Sequence, residues 1–178
     1  MSLTLSITED EVMTAIRSFL LTVFPGMEIV QGQDNRVTMP DEAGWILLTP
    51  ILSARLATNI DTWSNAGAPT TQADQTFWRH DVQVDCFGAS AHDNATIIGQ
   101  LWRDDYAYSN LVATGYDIAP LYASDLRNLE FVNDSAQYEK RWSIDLSLQA
   151  SPVVNVPQQF AGVAQVTPIS VDATYPPH

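Results

Sequence analysis

Phe77-Trp78-Arg79-His80-Asp81-Val82-Gln83-Val84-Asp85-Cys86-Phe87 is the stretch on which the fold turns. Trp78, His80, Val82, Val84 and Cys86 fall on one parity, and Arg79, Asp81, Gln83 and Asp85 on the other. Successive side chains of a strand point to opposite faces, so the alternation predicts a half-buried strand. Upstream, Trp45-Ile46-Leu47-Leu48-Thr49-Pro50-Ile51-Leu52 is almost wholly apolar and then becomes mixed to Thr58, which predicts a strand leaving the core; Pro50 places it at an edge or marks a bulge. The Thr-, Asn-, Ala-, Gly- and Pro-rich run 59–75 between the two reads as a long protruding loop.

Working outward, Gly88-Ala89-Ser90 punctuates the strand, and a helix is expected over about 91–108, with Ile98, Leu101, Trp102 and Tyr106 towards the core. Residues 115–121 read as a loop or edge segment. Leu129–Val132, a turn at Asn133-Asp134-Ser135 and Tyr138–Leu148 read as a hairpin, with Trp142, Ile144, Leu146 and Leu148 on one face. At the start of the chain, Thr8 and Glu11 have capping-box spacing, and Val12, Met13, Ile16, Phe19, Leu20 and Val23 recur at three- and four-residue steps before Pro25-Gly26. This predicts a helix over 9–23, followed by a short strand near Met27–Gln31 and a polar loop from Gly32 to Gly44. Helix, strands, helix and hairpin in that order, without strict strand–helix alternation, specify an α+β domain: a mostly antiparallel sheet flanked by two helices.

The chain of 178 residues carries 8 Lys+Arg against 21 Asp+Glu, a net charge of −13, one Cys and 46% hydrophobic residues. The length predicts one domain, and the apolar fraction predicts a real core. The first residues lack the basic and apolar segments of a secretory signal, and no apolar run approaches the roughly 18 residues of a membrane span. A lone Cys86 excludes an intramolecular disulfide and suits a reducing compartment. The acidic surplus repels phosphate backbones, so tight DNA binding is not expected.

The expected domain spans 1–150, and 151–178 forms an extended C-terminal arm. Five of the ten prolines lie in the arm, which holds one formally charged side chain, Asp172. It also carries Val153, Val154, Val156, Phe160, Val163, Ile169 and Tyr175, more apolar surface than disordered tails usually hold. These seven are the candidate contacts with a neighbouring copy or a partner. Wrapping the arm's own domain, and remaining without fixed order, are the alternatives.

Catalytic chemistry finds little support. His80 points opposite to Asp81 and Asp85, so the three do not converge on a metal or act as an acid–base group. Asp105 lies near the apolar side of the expected second helix, as a structural buried carboxylate paired with Arg55, Arg127 or Arg141. Cys86 is expected as a small core residue, and the aromatics serve the core rather than base or sugar stacking. GxSxG, HExxH, CxxC and a phosphate-cradling Gly-rich loop are all missing from the sequence. No cofactor, metal or catalytic residue is expected.

Four segments, Asp81–Gly88, Leu101–Ala107, Pro120–Ala123 and Gln137–Trp142 running into Pro152–Phe160, resemble the phage neck-terminator (tail-terminator) family of tailed phages and prophages. The resemblance implies a non-enzymatic virion protein of the tail or neck, assembled in the bacterial host cytoplasm. Such a protein forms a ring of six copies that caps the tail tube and sheath, contacts neck or head-completion proteins, and lets DNA pass through its lumen without specific binding. A head-completion adaptor or stopper is the nearest alternative. An acidic DNA mimic that inhibits a nucleic-acid enzyme is one of a different class, and a hydrolase has least support.

Overall fold

The computed structural model describes residues 3–33, 40, 44–64, 71–132 and 138–157. Helix α1, Glu9–Val23, starts at Thr8, whose hydroxyl accepts from the Glu11 N–H while the Glu11 carboxylate accepts from the Thr8 N–H, as the capping-box spacing predicts. Its apolar stripe, including Ile16, Phe19 and Leu20, is fully buried. Each large side chain so buried contributes roughly 1.5–3 kcal/mol.

Six strands form the main sheet: β1 (Glu28–Gln31), β2 (Trp45–Arg55), β5 (Trp78–Phe87), β6 (Ile118–Ala123), β7 (Arg127–Val132) and β8 (Tyr138–Ala150). The order is β1-β2-β5-β8-β6, and β7 follows β6 along the same side of β8. Only β1–β2 is parallel; the other pairings in this sheet are antiparallel. Pro50 sits at a register shift in β2, between Pro50 and Leu52, which leaves Ile51 as the extra residue of a bulge. Val82 and Val84 lie opposite Leu146 and Ile144, and with Cys86 and Leu148 they are buried beneath the helices, so the α+β architecture stands as expected.

The second helical region divides into α2 (Ala91–Trp102) and α3 (Asp105–Val112), so among the described residues three helices rather than two flank the sheet. Asp104 causes the break. Its backbone is extended, and its carboxylate accepts from the Tyr106 N–H, which starts a new helix instead of extending the old one.

The expected loop 59–75 is, over its described residues, a second hairpin: β3 (Ile60–Ser64) paired with β4 (Thr71–Gln75). The chain after Ala150 adds β9 (Val153–Pro157) beside β4. The small sheet has the order β3-β4-β9, which repeats the order β2-β5-β8 of the strands that feed it. It is the continuation of those three strands past a shared break at 56–59, 76–77 and 151–152, bridged by Leu56 N–H to Phe77 O and Thr76 N–H to Pro152 O. The alternation test missed it because every described residue of β3 is exposed and every one of β4 half-buried, so neither strand has an inner face to write as a pattern.

Candidate interaction surface

The outer face of the main sheet carries the polar parity of β5 and β8, closed by ion pairs. Arg79 reaches Asp81 at 3.1 Å, Arg127 reaches Asp145 at 2.6 Å and Arg141 reaches Asp85 at 2.8 Å. Ser147 donates to Asp81 at 2.6 Å and Gln83 to Asp85 at 2.8 Å. Three guanidiniums are thus held by carboxylates of the same face, which leaves little positive charge there for phosphate. The Asp85 side chain is only 1% exposed.

Asp105 requires correction. It is exposed, in the first turn of α3, and its oxygen accepts only a long 3.5 Å hydrogen bond from Ser109. The expectation extended one helical phase from Leu101 through Asp105, and the break at Asp104 resets that phase. A carboxylate in a first turn needs no arginine, because the unpaired N–H groups there favour negative charge. The buried, Arg-paired carboxylate is Asp85, on the parity expected to face water. Trp45 and Phe87 stack at 4.0 Å, and Arg141 lies over the Phe87 ring, giving that end of the outer face an apolar cover.

His80, Asp81 and Asp85 do not converge. His80 Nδ1 lies 2.8 Å from Ser53 Oγ, while Asp81 and Asp85 bind their arginines on the opposite face. Among the described residues no group of three His, Cys, Asp or Glu side chains is placed to hold a metal.

Burial lowers the His80 pKa below the ordinary 6.5 despite the opposing pull of the Glu9 and Asp81 charges. A neutral native imidazole that protonates on unfolding makes the unfolded chain bind more protons, so stability is full above pH 6.5 and falls as the pH drops through the folded value. Urea midpoints should decline between about pH 7 and about pH 5.5 in the native protein and decline less in His80→Gln. Equal slopes would mean that His80 is hydrated.

Cys86 is fully buried, and burial, reinforced by Asp85, pushes its thiol up to about 12. The thiolate is the reactive form, so the native protein should not react with an aromatic disulfide reagent at about pH 8, and should release one equivalent once unfolded in denaturant. Reaction at the same rate in both states would contradict this packing.

Of the candidate contact residues, Val153, Val154 and Val156 are half-buried in β9. Ser6 N–H donates to Val153 O at 3.0 Å, Val153 N–H donates to Ser6 Oγ at 2.8 Å, and Leu5 bridges Val154. The arm therefore begins by pairing with its own chain. Phe160, Val163, Ile169 and Tyr175 lie outside the described residues. The expectations overlooked four large apolar side chains, Ile51, Leu52, Leu56 and Ile60, each about half exposed, at the bulge of β2, in the break that follows it and at the start of β3. Ile60 alone among them sits in the run read as turn chemistry, where an isolated β-branched residue was the available signal.

No helix among the described residues is long and apolar enough to cross a membrane. Comparison with curated proteins finds no match. A family model described as phage neck terminator protein matches residues 10–172, from the first turn of α1 nearly to the end of the chain. With that match spanning the helices, both sheets and most of the arm, the chain belongs to the phage neck terminator protein family, structural components of the phage tail and neck.

Proposed function

We propose that this chain works as a ring of six copies that caps the finished tail and joins it to the neck, with DNA passing through the lumen. The observation that carries the reading is the ribbon β3-β4-β9, which extends past the helix-covered sheet with β3 exposed along its whole length. A closed ring uses heterologous contacts, so each subunit needs two different complementary surfaces. The exposed ribbon supplies one. The arm, through Val153, Val154, Val156, Phe160, Val163, Ile169 and Tyr175, supplies adhesion to the neighbouring copy or to tail tube, sheath and head-completion proteins.

Charge supports a passive lumen. A net charge of −13 opposes adsorption of the genome, and the arginines of the outer face are already engaged. The same ion pairs weigh against a DNA mimic, which needs carboxylates standing in unpaired rows. No catalytic step is assigned.

Electron microscopy and sedimentation of the purified full chain, alone and mixed with tails lacking this protein, test the proposal. Rings alone or at the head-proximal end of tails are expected. Single subunits under both conditions, or decoration of the capsid portal instead of the tail, would overturn it.

A further inference from the structure

The main sheet carries the same device on both of its flanks. β1 pairs with β2 only from Trp45 to Leu48, so beyond Leu48 β2 is an edge of the sheet among the described strands, and β6 is the edge on the other side. Each edge holds a proline followed by one extra residue: Pro50-Ile51-Leu52 in β2 and Pro120-Leu121-Tyr122 in β6, with Ile51 and Leu121 outside the register. The two bulges stand at one level. Leu52 lies opposite Asp81, Asp81 opposite Ser147 and Ser147 opposite Tyr122, so a single row of partners crosses the sheet from one bulge to the other.

Proline and a bulge obstruct the addition of a further strand to an edge. On β6 the obstruction is greater, because Arg103 donates to the Ala123 carbonyl and lies over the Tyr122 ring at 4.9 Å. Neither edge is covered with charged side chains at this level. Ile51, Leu52, Leu121 and Tyr122 are each about half exposed. Apolar side chains on a blunted edge suit a contact made through side chains rather than through the backbone.

Charge identifies the occupant. Copies of a chain with a net charge of −13 repel one another wherever their carboxylates meet. From Gly44 to Ile60 the sequence has no Asp or Glu, and its one charged residue, Arg55, is exposed. Residues 118–124 are uncharged and lie between Asp117 and Asp125, both exposed. Arg55 belongs to the row of Trp78, Ala150 and Ile118, one residue from Asp117, so a neighbour set at the same level brings Arg55 towards Asp117. The β2 flank therefore complements the β6 flank and not itself, which is the requirement of a heterologous contact.

We infer that Ile51 and Leu52 of one copy pack against Leu121 and Tyr122 of the next copy, bulge to bulge, with Arg55 facing Asp117. The inference rests on the ring reading and names a contact in the body of the subunit, apart from the ribbon and the arm.

Complementation between two full-length variants tests it. Ile51→Glu and Leu121→Lys each place an unpaired charge in the contact, so each alone should weaken ring formation, free or on tails, by about tenfold or more. Both positions are half exposed, so each thermal midpoint should stay within about 2 °C of the native one. Mixed in equal amounts, the two should assemble to within about threefold of the native protein, since in an alternating ring every junction is either native or a Glu–Lys pair. Recovery on mixing also shows that both variants are folded. Sedimentation and electron microscopy read all three samples. Rings from either variant alone as readily as from the native protein, or a mixture as weak as its components, overturn this contact and leave the ring standing. Native subunits that stay single, free and with tails, overturn the ring and this contact together.

Discussion

Replacing Arg141 with Ala should destabilise the protein by about 3–5 kcal/mol, because it leaves the Asp85 carboxylate buried without its countercharge. The pair closes at 2.8 Å, with the Asp85 side chain 1% and the Arg141 side chain 25% exposed. Gln83 alone then remains as a side-chain donor to that carboxylate. Asp85 Oδ1 is buried without a hydrogen-bond partner, and the Ser143 hydroxyl on the residue opposite Asp85, also buried and without a partner, can offer a neutral donor but no countercharge. The double variant Asp85→Leu with Arg141→Met should recover most of the loss, since it removes both desolvation costs along with the attraction. Urea denaturation measures both. A single variant within about 1 kcal/mol of the native protein, or a double variant no better than the single, would show that water reaches Asp85.

The second large effect is expected at Trp102, at the end of α2. Its side chain is 1% exposed, meets Phe19 of α1 edge to face at 5.4 Å, and donates from Nε1 to the Ser147 carbonyl of β8 at 3.2 Å. One residue therefore ties α1, α2 and the sheet together. Trp102→Ala should cost about 3–5 kcal/mol through lost burial and the cavity left behind. For a chain of this length that corresponds to roughly 6–20 °C in the thermal midpoint. Trp102→Phe keeps most of the packing and gives up the hydrogen bond, so its loss should be smaller. Calorimetry checks the order; equal losses for the two variants would mean that the indole N–H, rather than the ring, carries the effect.

Both residues show how the sequence was legible at one level and silent at another. Trp102 was placed towards the core from its spacing with Ile98, and it lies there. Spacing within one helix needs no knowledge of the rest of the molecule. Asp85 was placed on the wet parity of β5, and its parity is right: it shares the outer face with Asp81. It is buried where Arg141 of β8 pairs with it, at the end of the face that also carries the Trp45–Phe87 stack. Fifty-six positions separate Asp85 from Arg141, and no local pattern announces that pairing. Asp105 failed for the opposite reason, since one extended residue at Asp104 changed the phase of everything after it.

The small sheet shows the same division on a larger scale. Four polar residues and an alanine, Thr71-Gln72-Ala73-Asp74-Gln75, make a strand because β3 and β9 flank them, and their composition alone reads as a loop.

From the amino-acid order alone came the α+β class, the capped first helix, the core parity of β5 and β8, the absence of catalytic motifs and the family resemblance, all of which depend on neighbours a few residues apart or on composition. The tertiary structure alone decided that β2, β5 and β8 run on together into a second sheet, that the arm begins by pairing with β4, and which aspartate is buried. Those outcomes depend on which distant segments meet, because backbone pairing and exclusion of water are properties of the assembled sheet and not of any one strand.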